Sequence, residues 1–171
     1  KPTVKGELKI PGFSEYLHPI TQNLLVGVGQ DGTETGTNGD CKVSLFDVTD
    51  PYTPKETIAI PVAKGSGYVS TGVAHNHKLY VTLSDTEFAV PFYLDWYVDG
   101  GKIEKGGNYY IRYKLESGTL CEVERYYFGS EQKYKQNYNE KITFEDTNGE
   151  KVTSDLNNYI HYLNNLIKLY L

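Results

Sequence analysis

The chain has 171 residues, 39% of them hydrophobic and 23% charged, enough for a domain with a real core. A net charge of -5 gives no clustered Lys/Arg footprint, so nucleic acid is excluded as the expected partner. No apolar run approaches the ~20 residues that a membrane-crossing helix needs.

A mean hydropathy of -0.50, with 17 Gly, 16 Tyr and no Met, suits a loop-rich β protein better than a helical bundle. Tyrosine favours strands because its ring packs on a pleated sheet while its hydroxyl stays wet. The opening Lys1-Pro2-Thr3 carries no secretory leader, and the chain is expected to be a processed or excised piece whose export signal lies elsewhere. Cys41 and Cys121 are either one disulfide or two buried thiols, too few for a disulfide framework.

In chain order, Leu8-Lys9-Ile10 predicts a short strand ended by the Pro11-Gly12 turn. Strands are expected at Tyr16 to Ile20 and at Asn23 to Gly29, the second an apolar run whose glycines admit close backbone approach. "QDGTETGTNGD", Gln30 to Asp40, predicts an exposed loop. Cys41 to Val48 is the next strand, cut by Thr49-Asp50-Pro51, and Glu56 to Val62 follows. Asp47 and Asp50 are expected to shape this turn, since an Asp before Pro accepts bonds from following amides and Pro cannot donate to the ladder.

The pattern then restarts. Strands are expected at His77 to Leu83, Phe88 to Phe92, Tyr109 to Leu115 and Leu120 to Phe128. "SLFDVTDPYTPKETIAI" and "IRYKLESGTLCEVERYY" are each strand, polar turn and strand. A weak repeat of ~40–45 residues is how propeller blades look in sequence. The insertion "YLDWYVDGGKIEKGG" stretches the period and ends in loop residues.

Beyond residue 129 the character changes. Ser130 to Glu140 is polar and linker-like. Lys141 to Glu145 and Lys151 to Thr153 flank Asp146-Thr147-Asn148-Gly149, a strong hairpin signal. Leu156, Tyr159, Ile160, Leu163, Leu166, Ile167 and Tyr170 recur at helical spacing, with Ser154 or Asp155 placed to cap the first turn. The expected organisation is therefore mainly β: antiparallel meanders forming two to three propeller-like blades over 1–129, and a β-hairpin with an amphipathic helix over 130–171, either a small module or a cover for an open sheet edge.

"GELKIPGFSEYLHP", "LLVGVGQDGTETGTNGDCKVSLFDVTDPYTPKE" and "NHKLYVTLSDTEFAVPF" together resemble the secreted bacterial and archaeal proteins with a C-terminal β-propeller domain distantly related to WD40 repeats. The resemblance covers Gly6 to Phe92 well and continues weakly through "NYYIRYKLESGTLCEVERYYF". It implies a propeller-type fold and an extracellular or cell-surface location rather than a particular chemistry. The family's propeller is longer, and fewer than about four blades cannot close a ring in the usual way. The first 129 residues are therefore expected to form an open or sandwich-like unit, or to pair with another copy.

The candidate sites are few. His75 and His77, two residues apart, would share a face of a strand in an H-x-H metal spacing, with a third ligand from His18, Asp85 or Glu87. Asp31, Glu34 and Asp40 place hard oxygens in one polar loop that Ca²⁺ would suit, without an EF-hand spacing. Tyr93, Asp95, Trp96, Tyr97 and Asp99 form an aromatic-acidic cluster in the insertion, the residue types that bind sugars or peptides. No G-x-S-x-G, H-E-x-x-H, P-loop or Cys-His arrangement is present. The expectation is a non-catalytic extracytoplasmic binding or scaffold module, more an interaction module than an enzyme. It would need no cofactor, Ca²⁺ or Zn²⁺ aside, and would take a protein or carbohydrate ligand. The alternatives are part of a hydrolase acting on glycans or peptides through Asp95 and Asp99, and a β subunit completed by self-association.

Overall fold

A computed structural model describes residues 1–32, 38–63, 68–95, 97–99, 102–104, 106–129, 141–145 and 151–155. The chain forms two compact units, Lys1–Gln132 and Lys133–Leu171. In the first unit the strands are β1 (Phe13–Pro19), β2 (Leu24–Gly32), β3 (Asn38–Asp47), β4 (Lys55–Pro61), β5 (Val69–Thr71), β6 (Val81–Thr82), β7 (Glu87–Leu94), β8 (Tyr97–Asp99), β9 (Lys102–Glu104), β10 (Gly107–Glu116) and β11 (Thr119–Gly129). The second unit holds β12 (Lys141–Glu145) and β13 (Lys151–Asp155). All pairings among these strands are antiparallel.

Two sheets carry the first unit. Sheet 1 is a plain meander in the order β1-β2-β3-β4. Sheet 2 runs β11-β10-β7-β5, with β6 also paired to β7. Because β5 pairs Leu94 to Phe92 and β6 pairs Ala89 and Phe88, the two share one side of β7 as a broken edge strand. The two sheets are two blades, the lower end of the expected range.

Period-2 alternation sets the faces. In β3, Cys41, Val43 and Leu45 point to sheet 2, with Val28 and Val26 in register beside Val43 and Leu45. In β7, Phe88, Val90, Phe92 and Leu94 form the answering face, joined by Tyr113, Ile111 and Tyr109 of β10. These side chains are nearly all fully buried, each stabilising by about 1.5–3 kcal/mol relative to exposure. An aromatic row crosses between the sheets: His18 stacks on Tyr80 at 4.1 Å, Tyr80 on Phe88 at 5.1 Å, and Phe88 on Tyr113 at 5.4 Å.

The opposite face of sheet 1 is also covered. Lys42, Ser44 and Phe46 are buried there. Residues 1–10 carry no ladder, which corrects the strand expected at Leu8 to Ile10. They nevertheless alternate exposed with half-buried from Lys5 to Ile10. Lys5 sits over the Tyr52 ring, 5.7 Å from its centroid, at one end of the sheet. At the other end Pro11 accepts a bond from Lys42 Nζ (3.2 Å). This segment is a strap along the sheet, and Pro11 lacks the N–H that would extend a ladder. Gly12 closes it with φ +81, where an added Cβ would lie 2.2 Å from Gln30 O, a turn that only glycine adopts without strain.

Other expectations need revision. His77 to Leu83 is not one strand: His77–Leu79 is a 3₁₀ turn and only Val81–Thr82 pairs. Asn76 starts that turn by accepting from Lys78 N (3.1 Å), a local bond that competes with strand pairing. Gln30 to Asp40 is not all loop, since β2 reaches Gly32 and β3 begins at Asn38. The insertion after β7 contains the β8–β9 hairpin, with Tyr97, Val98 and Asp99 in register with Glu104, Ile103 and Lys102. Cys41 and Cys121 are not joined in a disulfide; Cys41 is buried, its Sγ between Gln30 Nε2 and Val69 O, and Cys121 is exposed. One lies at the centre of sheet 1 and the other on an edge of sheet 2, so neither expected arrangement holds.

The Thr49–Pro51 turn is as read. Asp47 Oδ1 accepts from Thr49 N (2.9 Å), Asp50 Oδ1 from Tyr52 N (2.9 Å), and Asp50 Oδ2 from Thr53 Oγ1 (2.7 Å). In the second unit β12 and β13 pair in register from Lys141↔Asp155 to Glu145↔Lys151. The Asn148-Gly149 turn and the helix expected from Leu156 to Tyr170 lie outside the described residues.

Candidate functional site

The insertion leaves sheet 2 at Leu94 and returns at Gly107, which are in register across β7 and β10. Leu94 is the last core residue of β7. Tyr93, one residue earlier, must face the other way. Its cross-strand neighbours are Asn108 of β10 and Ser70 of β5. Tyr93 and Ser70 are half-buried, and Asn108 is buried at 7% exposure.

Asp95 follows on the exposed side, its backbone N donating to Tyr68 O (3.0 Å). Burial, then the neighbouring Asp95 carboxylate, raise the Tyr93 hydroxyl above the ordinary phenol range. The phenol is therefore held neutral beside a carboxylate. At the return, Gly106 passes so close that an added Cβ would lie 1.6 Å from Asp95 O. No other residue lets the two arms of the insertion meet there.

The structure thus brings Tyr93 and Asp95 together and sets Tyr97 and Asp99 in β8, next in chain. Trp96 lies outside the described residues. Asn108 and Ser70 are site neighbours that sequence reasoning missed. Asn108 opens the "NYYIRY" strand directly after Gly106-Gly107, and that re-entry is the signal that could have found it.

Further along the same face, Arg112 Nε donates to Glu87 Oε2 (3.1 Å) and a second bond runs from Nη2. The Glu87 bond, ahead of the opposing burial, raises the guanidinium further above its usual range. Tyr126 bonds both Arg112 and Glu124. The row Glu87, Arg112, Tyr126 and Glu124 ties β7, β10 and β11 together.

The histidine pair does not assemble. His75 and His77 are exposed on the turn that follows Gly72, where His75 N donates to Gly72 O (3.1 Å). The strand alternation that would align them is absent. Of the proposed third ligands, His18 is stacked on Tyr80 and Glu87 is paired with Arg112. Asp31 pairs with Lys42 Nζ at 3.3 Å; Glu34 lies outside the described residues. Among the described residues no group of three or more His, Cys, Asp or Glu could hold a metal ion. No helix among them is long and apolar enough to cross a membrane.

Two antiparallel sheets stacked face to face, one a four-stranded meander and the other carrying a hairpin inserted between two of its strands, define a bladed β protein. A family model described as a beta propeller domain matches residues 1–167, and the chain belongs to that family. The chain is 53% identical over 55 residues to an uncharacterized protein of Methanocaldococcus jannaschii, covering 32% of this chain and 8% of that protein. It is 36% identical over 108 residues to an uncharacterized protein of Archaeoglobus fulgidus, covering 61% of this chain and 16% of that one. The chain spans less than a fifth of the length of either relative. No solved structure matches it.

Proposed function

We propose that the chain is a non-catalytic binding module that acts outside the cytoplasm, at the cell surface, with the Tyr93–Asp95 end of sheet 2 as its ligand-contacting face. The observation that carries the reading is the pairing of a half-buried aromatic ring with an exposed carboxylate at the root of an inserted hairpin. Insertions on a rigid sheet scaffold are where binding residues are placed. A ring face beside an acceptor matches a polyhydroxylated ligand, whose C–H faces stack while its hydroxyls donate. Carbohydrate is therefore the preferred ligand class. The hydrolase alternative would use Asp95 or Asp99 as a proton donor or nucleophile, and the turnover arm of the test below separates it from binding.

The test is a panel of glycans and extended peptides, scored both for binding and for turnover. Glycan binding lost in Tyr93→Ala and Asp95→Ala, without turnover, is the expected result. Turnover abolished by Asp95→Ala or Asp99→Ala would replace this reading with the hydrolase, and binding confined to peptides would replace the ligand class.

A further inference from the structure

Tyr68 comes immediately before β5, at the end of sheet 2 where the insertion leaves, and is 53% exposed. The bond from Asp95 N to Tyr68 O (3.0 Å) extends the β5–β7 ladder one pair beyond Val69↔Leu94. Tyr68 and Asp95 are therefore directly opposite each other, and the side chains of such a pair stand on one face. It is the face turned away from the core, because the next pair, Val69 and Leu94, is buried.

Two rows of side chains follow from the register. Ser70, Tyr93 and Asn108 form the inner row. Tyr68 and Asp95 form the outer one, and Gly106 closes it against Asp95 O without adding a side chain. Tyr68 and Tyr93 are diagonal neighbours, which in a regular ladder lie about 7–8 Å apart, within reach of aromatic side chains. The two rings are thus staggered, one strand apart and two residues apart along it, with a carboxylate beside each.

A single exposed tyrosine needs no explanation. Tyr68 differs from the other exposed tyrosines in what it touches. Tyr52 lies under Lys5, and Tyr127 packs against Tyr109. Among the described residues Tyr68 has no ring or cation contact, while its ladder partner is the carboxylate of the proposed ligand face.

We propose that Tyr68 is a second ring platform of that face, and that the two tyrosines hold consecutive sugar units of a linear, uncharged oligosaccharide across Asp95. The inference rests on the carbohydrate reading above and extends it from one ring to two.

The chemistry of each position fits. Sugar C–H faces stack on the rings, and ligand hydroxyls donate to Asp95. Ser70 adds a hydroxyl that both donates and accepts next to Tyr93. Asp95 is the only charged side chain of the two rows, so it suits hydroxyls and repels a ligand carboxylate. Neither ring is enclosed: Tyr68 is exposed and Tyr93 half-buried. An interior stretch of a chain can lie over both, so recognition does not depend on a chain end.

The test is an NMR titration of wild type, Tyr68→Ala, Tyr68→Phe and Tyr93→Ala with cello-, chito-, manno- and xylo-oligosaccharides, from monosaccharide to tetrasaccharide. A uronate-bearing tetrasaccharide serves as the charged control. Wild-type affinity should rise by about tenfold from the monosaccharide to the longer chains. Tyr68→Ala should lose that rise and keep the monosaccharide affinity, Tyr68→Phe should retain it, and Tyr93→Ala should lose binding at every length. The Tyr68 ring is largely in water, so Tyr68→Ala should melt with the wild type. If Tyr68→Ala follows wild type at every length, or if wild-type affinity ignores length, this inference is overturned and the Tyr93–Asp95 reading stands. Loss of the rise in Tyr68→Phe would show a hydroxyl contact in place of a platform, and tighter binding of the uronate control would overturn the uncharged ligand. Wild type binding none of the sugars would sink the carbohydrate reading and this inference with it.

Discussion

Lys42 is the sharpest test of how sheet 1 is held. Its side chain is 5% exposed, on the face turned away from sheet 2. Its ammonium lies 3.0 Å from Glu56 of β4, 3.3 Å from Asp31 of β2, and 3.2 Å from Pro11 O of the strap. One cation thus ties three segments to β3. Lys42→Met keeps the stem's apolar packing and removes the charge. Asp31, about half exposed, recovers its solvation from water. Glu56, only 16% exposed, does not, and stays as a carboxylate with little solvent and no cation. Breaking a buried pair from one side costs about 3–5 kcal/mol. The residual exposure of Glu56 puts this case at the lower end, about 3 kcal/mol. At a urea slope of about 2 kcal/mol/M, the unfolding midpoint should fall by ~1.5 M. The double variant Lys42→Met/Glu56→Leu removes both charges and should return to within about 1 kcal/mol of wild type, a coupling of about 2 kcal/mol. If Lys42→Met costs less than about 1 kcal/mol, or if the two substitutions simply add, the pair does not brace the strap as argued.

Three further outcomes follow from single contacts. Gly106→Ala places a methyl onto Asp95 O, a backbone atom with nowhere to retreat. It should cost about 2–3 kcal/mol by thermal melting and abolish ligand binding together with Tyr93→Ala. Tyr113 is fully buried, and its hydroxyl has no hydrogen-bond partner among the described residues. Tyr113→Phe should therefore be neutral or stabilising by up to about 1 kcal/mol, while Tyr110→Phe, which loses the bond to Leu79 O, should cost about 1 kcal/mol in the same denaturation assay. Hydrogen bonds from Thr49 hold Asp47, and those from Thr53 and Tyr52 hold Asp50, below the usual carboxylate range. Their contribution is present above about pH 4 and is lost as pH falls through the depressed values. The stability gap between wild type and Asp50→Ala should thus close in acid, and a gap unchanged down to pH 2 would contradict it.

The meander was legible because its signals are local. Period-2 apolar runs, polar turns and the Asp-Pro cut all act within a few residues, and β1 to β4 fall on those runs, with β1 and β3 each beginning three residues earlier than expected. What failed depends on partners far away in sequence. Leu8 to Ile10 has strand composition but pairs with no strand, and its place is set by the Lys42 bond to Pro11 O that follows it. His77 to Leu79 has strand composition too, but Asn76 caps a 3₁₀ turn there. Val69–Thr71 was invisible because three residues carry no period; only β7 beside it makes it a strand. For the site, Tyr93 and Asp95 could be named from composition alone. Asn108 and Ser70 could not, since their membership is a matter of register across β10 and β5.

The abundance of tyrosine now has a physical account that bears on where function can reside. In β10 alternation sends Tyr109 and Tyr113 toward sheet 1 and Tyr110 to the other side, and all three are buried. Antiparallel sheets commonly keep one face wet; the centre of sheet 2 is packed on both. Tyrosine suits that position because the ring fills the layer and the hydroxyl reaches a carbonyl at its rim, as Tyr110 does with Leu79. A sheet committed on both faces has little central surface left for a ligand. Its free positions are the edges and the segment that departs from it. A substitution in the Tyr110 or Ile111 layer should therefore change stability before it changes binding, whereas one at Tyr93 or Asp95 should do the reverse. Comparing melting temperature with glycan affinity across those four positions separates the two: a binding loss at Ile111 without a fall in melting temperature would place the ligand on the sheet itself and not at the insertion.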